Sequence, residues 1–106
     1  MRIETKGTAL IITSALQEYI EKKFKGLERF VKRYEKQGEV RLHLEVARTT
    51  KHHRHGPVFY AEAMLYVGNH VLRAEKTSED ARAAIDGAKD ILKQELLRYK
   101  EKQSNS

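Results

Sequence analysis

The chain contains 106 residues and no cysteine, and its 21 Lys and Arg against 15 Asp and Glu give a formal net charge of +6 at pH 7. This composition excludes a disulfide framework and a thiolate metal site, and no apolar run approaches the roughly 20 residues that span a membrane, so we expect one cytoplasmic domain. The basic excess favours a polyanionic partner, nucleic acid or an anionic membrane, although solubility alone would explain it as well.

In the first third of the sequence, polar and apolar residues first alternate and then repeat with the period of a helix. Residues Arg2–Gly7 have the two-residue alternation of a half-buried strand. One long helix is predicted next, because Ser14 and Gln17 have the spacing of a capping box and Gln37-Gly38 ends the helical period. Its apolar face repeats every three or four residues and consists of Leu16, Ile20, Phe24, Leu27, Val31 and Tyr34.

Three strands are predicted in the middle of the chain, from the pattern of their apolar side chains and from the turn signals between them. They are Glu39–Ala47, Val58–Val67 and His70–Lys76. Gly68-Asn69, between the second and the third, is typical of a tight hairpin turn. The expected core face of the first of these strands consists of Val40, Leu42, Leu44 and Val46.

A closing helix completes the predicted domain, residues 1–102. Thr77 and Asp80 have the spacing of an N-cap signature, and the helical period runs to about Lys102, which leaves residues 103–106 as a disordered tail. The order β-α-β-β-β-α predicts an α+β fold, with both helices on one face of a four-stranded sheet as in double-stranded-RNA-binding domains. The residues expected to share its core are Phe24, Leu27, Val40, Leu42, Leu44, Ile85, Ala88 and Leu92.

Basic residues form rows on both predicted helices. On the first helix, cations fall within about a third of the circumference, opposite the apolar face. They are Lys22, Lys25, Arg29, Lys32, Arg33 and Lys36, and the row on the closing helix is Arg82, Lys89, Lys93 and Lys100. A solvated face with ion pairs is the simpler interpretation. Against it, the two signs of charge are largely segregated, which suits repeated contacts with a phosphate backbone.

Two further groups of residues could be interpreted as chemical sites. His52, His53 and His55 lie in the loop Arg48–Pro57, but its Arg and Lys residues would repel a divalent ion, so we predict no metal site and a loop that meets phosphate. Asp86 and Asp90 could be an acid pair, but ion-pair partners of neighbouring lysines are the simpler interpretation. With no catalytic motif in the chain, we predict no catalytic residue, no cofactor and no small-molecule substrate.

Two segments resemble a known family. The sequence ALIITSALQEYIEKKFKGLERF is similar to the first helix of the ribosome hibernation-promoting factors, also called ribosome-associated inhibitor A or sigma-factor modulation proteins. The sequence VLRAEKTSEDARAAIDGAKDILKQELLRYKEK resembles their final strand and helix. The family pattern D-x-x-A-A-I-D is matched by Asp80, Ala83, Ala84, Ile85 and Asp86. The similarity extends from about Arg2 to Lys102.

This resemblance implies a non-catalytic domain of the same β-α-β-β-β-α order that binds the small ribosomal subunit and its rRNA in the decoding channel. Such a factor blocks tRNA and mRNA sterically, and we expect the short form of the family, a monomer off the ribosome. An RNA-binding chaperone or regulator that acts off the ribosome is the alternative.

Candidate RNA-binding residues come from the basic rows and from the resemblance together. They are Lys22, Lys23, Lys25, Arg29, Lys32, Arg33, Arg82, Lys89, Lys93, Arg98 and Lys100. Lys23 and Arg29 match basic positions of the family's first helix. Two positions depart from the family, because Arg82 stands where many members have an aromatic residue and Gly26 where Lys is frequent.

Overall fold

The computed structural model describes residues 1–49 and 58–104, which form a four-stranded sheet covered by helices on one face. The described elements are β1 Arg2–Thr8, α1 Ser14–Lys25, α2 Glu28–Glu35, β2 Arg41–Thr49, β3 Val58–Val67, β4 His70–Ser78 and α3 Ala81–Ser104. The predicted α+β fold is confirmed. The predictions for His52, His53 and His55 lie outside the described residues.

The strands follow one another across the sheet in the order β1-β2-β3-β4. Strand β1 is parallel to β2, whereas the pairs β2-β3 and β3-β4 are antiparallel. The register sets Ile3 opposite Leu42, Leu42 opposite Leu65, and Leu65 opposite Leu72. Because side chains alternate along a strand, this apolar row faces the helices and the neighbouring rows face away.

The core lies between the helices and this apolar side of the sheet. All eight side chains expected to share the core are buried there, with Ala88 at 0% exposure. Helix α3 packs over β3 and β4, and small residues occupy both sides of the contact. They are Ala61, Ala63, Ala74, Ala84 and Ala88. Gly87 belongs to the same contact, because a Cβ there would come within 2.5 Å of Lys76 Cγ. The small side chains therefore let the helix lie close to the sheet.

The prediction of one long first helix is wrong, because the helix breaks in two at Gly26 and Leu27. Both residues keep right-handed helical dihedral angles, but Leu27 N donates to Phe24 O at 2.9 Å, a tighter three-residue hydrogen bond. Glycine is a poor helix former, which favours a break at this position. The apolar face stays in phase through the break, since Ile20, Phe24, Leu27, Val31 and Tyr34 are all buried.

The helix starts also differ from the prediction. Thr13, one residue before Ser14, accepts the capping hydrogen bond of α1 from a backbone N–H at 3.2 Å. Gln17 accepts a hydrogen bond from a strand residue and closes no capping box. Asp80 accepts the capping bond of α3 at 3.0 Å, whereas Thr77 lies within β4. Helix α3 continues through Ser104, two residues past its predicted end.

The sheet face away from the helices carries an acidic row that crosses neighbouring strands. The row consists of Lys6, Glu45, Glu62 and Glu75. Its carboxylates are engaged within the face, because Arg73 Nε donates to Glu62 at 2.7 Å and the Tyr60 hydroxyl donates to Glu75 at 2.6 Å. The face also carries the cations Arg2, Lys6, Arg41 and Arg73, so its charges largely balance, and the helix side is the better candidate for anion binding.

Candidate nucleic-acid interface

Phe30 on α2 is the centre of three cation contacts from two helices. The Arg29 guanidinium lies 4.7 Å from the ring centroid, and the Nζ atoms of Lys93 and Lys100 each lie 5.5 Å from it. Lys93 and Lys100 are seven residues apart on α3 and therefore project from the same side of that helix. These four residues, called the Phe30 cluster here, join the two basic rows predicted from the sequence into one surface.

Tyr19 on α1 is the centre of a second group. Its hydroxyl donates to Asp86 Oδ1 of α3 at 2.7 Å, and Lys23 Nζ lies 3.6 Å from the same carboxylate oxygen. The Arg82 guanidinium and Lys23 Nζ lie 4.6 and 5.6 Å from the Tyr19 ring centroid. These four residues form the Tyr19 cluster, which holds α1 and α3 together beside the basic surface.

A third group extends the surface toward the β3-β4 turn. Arg33 Nη2 donates to the Tyr34 hydroxyl at 3.0 Å, and the Tyr34 ring centroid lies 5.6 Å from that of Tyr99 on α3. The His70 ring follows at 4.9 Å from Tyr99. Gln103 Nε2 donates to the Tyr99 hydroxyl at 2.9 Å, so this residue of the predicted tail is part of the helix. In all three groups, at least one aromatic ring on the helix side thus lies beside a cation.

The remaining candidate residues lie on the same helices, outside these three groups. Lys22, Lys25 and Lys32 are exposed. Arg98 contacts Glu95 at 3.4 Å, and Lys89 contacts Asp90 at 3.9 Å. Asp90 thus pairs with its neighbouring lysine as predicted, whereas Asp86 pairs with Lys23 of α1 and not with a lysine of its own helix.

Sequence reasoning missed the aromatic residues that organise the cations. Phe30 lies at the edge of the apolar face of its helix, where it packs partly against the core. Its position directly after Arg29, among basic residues, was the available signal. Tyr19 gave a weaker signal, because its partner Asp86 is 67 positions away in the chain. A tertiary pairing of this kind leaves no periodicity in the sequence.

The chemistry of the Tyr19 hydroxyl reflects its partner. The hydrogen bond to Asp86, followed by burial, raises the pKa of Tyr19 from 10.0 to about 12. Deprotonation would put two negative charges in contact and would remove the hydrogen-bond donor. The neutral hydroxyl is therefore the form that the folded protein stabilises.

The raised pKa predicts a loss of stability at high pH. Unfolded Tyr19 ionises near pH 10, and folded Tyr19 only near 12, so its contribution is complete below pH 10 and is lost between those values. We expect the urea midpoint to fall less between pH 9 and pH 11 in Tyr19→Phe than in the parent protein. Burial and the hydrogen bond to Glu75 also raise the pKa of Tyr60 to about 12. Tyr60 is present in both proteins, so its effect on stability cancels in the comparison. Equal falls would show that Tyr19 titrates normally.

Other kinds of site find no support in the described structure. Among residues 1–49 and 58–104, no group of three or more His, Asp or Glu side chains is placed to hold a metal ion. No helix in this part of the chain is long and apolar enough to cross a membrane.

The family model for Sigma 54 modulation protein / S30EA ribosomal protein matches residues 3–104. The chain belongs to this family. The family resemblance recognised in the sequence is thereby confirmed. The match covers all the described elements except the first residue of β1.

Relatives and solved structures agree with this assignment. The chain is 31% identical to the ribosome hibernation promoting factor of Salmonella typhimurium, covering 96% of each protein. It is 32% identical to the ribosome hibernation promotion factor of a Picosynechococcus strain, covering 96% of this chain and only 50% of that relative. The chain thus spans about half the length of the second relative.

Two solved structures share the fold. The N-terminal domain of Protein Y from Thermus thermophilus is 29% identical, with a TM-score of 0.76 and coverage of 93% of this chain and 99% of that one. A ribosomal subunit interface protein from Coxiella burnetii has the same TM-score at 20% identity, with 95% and 99% coverage, which supports the fold alone. The comparison with double-stranded-RNA-binding domains is not supported by these neighbours and stays a prediction.

Proposed function

We propose that this chain binds the rRNA of the small ribosomal subunit through its helix side and silences translation by occupying the decoding region. Membership of a family whose named relatives are ribosome hibernation factors supports association with the ribosome. Occupancy alone excludes tRNA and mRNA, so the mechanism needs no catalytic residue and no cofactor. A cytoplasmic location follows from the ribosomal partner.

The observation that carries the proposal is the convergence at Phe30. Arg29, Lys93 and Lys100 come from two helices and meet around one ring. Cations held at defined spacing suit a phosphate backbone, because binding then releases several counterions at a small cost in side-chain order. The opposite sheet face, where acidic and basic side chains of the described strands largely balance, has no such concentration of unpaired cations, which favours docking in this one orientation.

Sedimentation with purified ribosomal subunits tests the proposal. We expect the protein to migrate with small subunits, not with large subunits, and to release them as the salt concentration rises. Initiator tRNA and a short mRNA bound beforehand should reduce the bound fraction, because they occupy the same region. Equal binding to both subunits would contradict the proposal. Binding to free RNA without binding to either subunit would favour a regulator that acts off the ribosome.

A further inference from the structure

Asp86 is an acidic residue placed inside the basic helix-side surface. Its carboxylate accepts a hydrogen bond from the Tyr19 hydroxyl at 2.7 Å and lies 3.6 Å from Lys23 Nζ. By charge alone it should weaken the attraction of this surface for an anionic partner, because like charges repel. Its position therefore requires a role that outweighs this repulsion.

The geometry of the Tyr19 cluster indicates what that role is. Tyr19 and Lys23 are four residues apart on α1, and Arg82 and Asp86 are four residues apart on α3, so each helix contributes one pair of neighbouring side chains. The two pairs interlock, because the hydroxyl of one pair donates to the carboxylate of the other. The Tyr19 ring is thereby fixed between the cations of both helices.

Lys and Arg side chains lose much rotational freedom when a ligand immobilises them. Side chains that are already ordered before binding avoid part of this loss, which increases the affinity without any new contact. Arg82 gains from stacking against an aromatic ring, since its planar guanidinium suits such a contact. Lys23 is restricted both by the ring and by the carboxylate.

We propose that Asp86, acting through Tyr19, positions Lys23 and Arg82 to contact phosphate groups, so that an acidic residue strengthens the binding of an anionic partner. This inference rests on the proposed function, because the phosphates are those of the bound RNA. Asp86 and Tyr19 are positioning residues that need not touch the RNA.

Two substitutions separate positioning from plain electrostatics. Asp86→Asn makes the surface more positive, so electrostatics alone predicts tighter binding to small subunits, whereas positioning predicts binding that is about threefold to tenfold weaker. Tyr19→Phe leaves the charge and the ring in place and removes only the hydroxyl. Positioning predicts weaker binding here too, with an unchanged dependence of log K on log salt, because the same cations still neutralise the same phosphates.

Asp90→Asn is the matched control for charge. Asp90 lies one turn further along α3, is 73% exposed and contacts only Lys89, at 3.9 Å, among the residues the structure describes. Removing its charge should leave binding unchanged or slightly tighter. Tighter binding by Asp86→Asn, equal to that of the control, would overturn the inference. Unchanged affinity in Tyr19→Phe would also overturn it.

Side-chain NMR keeps this test independent of ribosome binding. In the free protein, the Arg82 Nε–H group should be more mobile in Asp86→Asn and Tyr19→Phe than in the parent and Asp90→Asn. The pKa of Tyr19 should also fall in Asp86→Asn. If Arg82 is ordered in the free parent protein but the parent does not bind small subunits, the proposed function is refuted, and so is the role of Arg82 and Lys23 in phosphate binding. The ordering of Arg82 by Tyr19 and Asp86 would still stand. Unchanged Arg82 mobility would refute the positioning role even if the parent binds.

Discussion

Replacing Arg29, Lys93 and Lys100 together with Gln is expected to weaken binding to small ribosomal subunits by about 100-fold. The three cations surround Phe30, and each is expected to contact phosphate. A loss of about 1 kcal/mol per cation, a conservative value for a charge-assisted hydrogen bond, gives this factor. The slope of log K against log salt should fall by roughly 0.7–0.9 for each phosphate that the variant no longer neutralises. Sedimentation at several salt concentrations measures both effects.

A triple variant on the opposite sheet face provides the matched control. Replacing Arg2, Lys6 and Arg41 with Gln removes the same charge from β1 and β2. The ion pairs that this variant removes, such as Arg41 to Glu4 at 3.7 Å, are exposed and should cost little stability. Both triple variants should keep the parental circular dichroism spectrum. If both variants bind small subunits equally weakly, net charge alone determines the affinity and there is no specific docked surface. If the helix-side variant binds as tightly as the parent protein, the Phe30 cluster is not part of the interface.

Local periodicity was sufficient to predict the layers of this fold. Strand β3 begins and ends at the predicted residues, Val58 and Val67, because two glycine- or proline-containing segments bound an apolar stretch. The core was also predictable, since apolar residues at a period of two or of three to four can be buried only on one side of a strand or helix.

The same reasoning could not detect the break at Gly26. Phe24, Leu27 and Val31 keep the spacing of an uninterrupted helix through the break, so the apolar pattern carries no sign of it. The helix caps were missed for another reason, because Ser, Thr and Asp side chains can all cap a helix. The choice of Asp80 over Thr77 depends on how far β4 stays paired with β3, a tertiary property.

The candidate interface was predictable as two rows of charge but not as one surface. Each row follows from the period of its own helix. Their convergence depends on α2 and α3 lying side by side, so that Lys93 and Lys100 reach the ring of Phe30. The role of Asp86 was hidden for the same reason, because a carboxylate among lysines has the same sequence pattern whether it pairs within its helix or with Tyr19 of another.

Ala88→Asp is expected to destabilise the domain by about 3–5 kcal/mol, because an unpaired carboxylate would be buried between α3 and the sheet. Ala88 is fully buried where α3 packs against the sheet, so the added carboxylate would be held away from water. Such a loss is a large part of the roughly 5–15 kcal/mol that stabilises an ordinary domain. Urea unfolding measures it as a lower midpoint.

Ala83→Asp is the matched control for this substitution, on the same helix but exposed to solvent. It lies in the first turn of α3, where the helix dipole favours negative charge, so its free energy of unfolding should stay within about 0.5 kcal/mol of the parent. The destabilisation by Ala88→Asp should shrink as the pH falls toward about 4, because burial raises the pKa of the carboxyl group in the folded protein; below about pH 4 it is protonated in both states and only the steric cost remains. A parental midpoint for Ala88→Asp at pH 7 would mean that this side of α3 does not face the sheet.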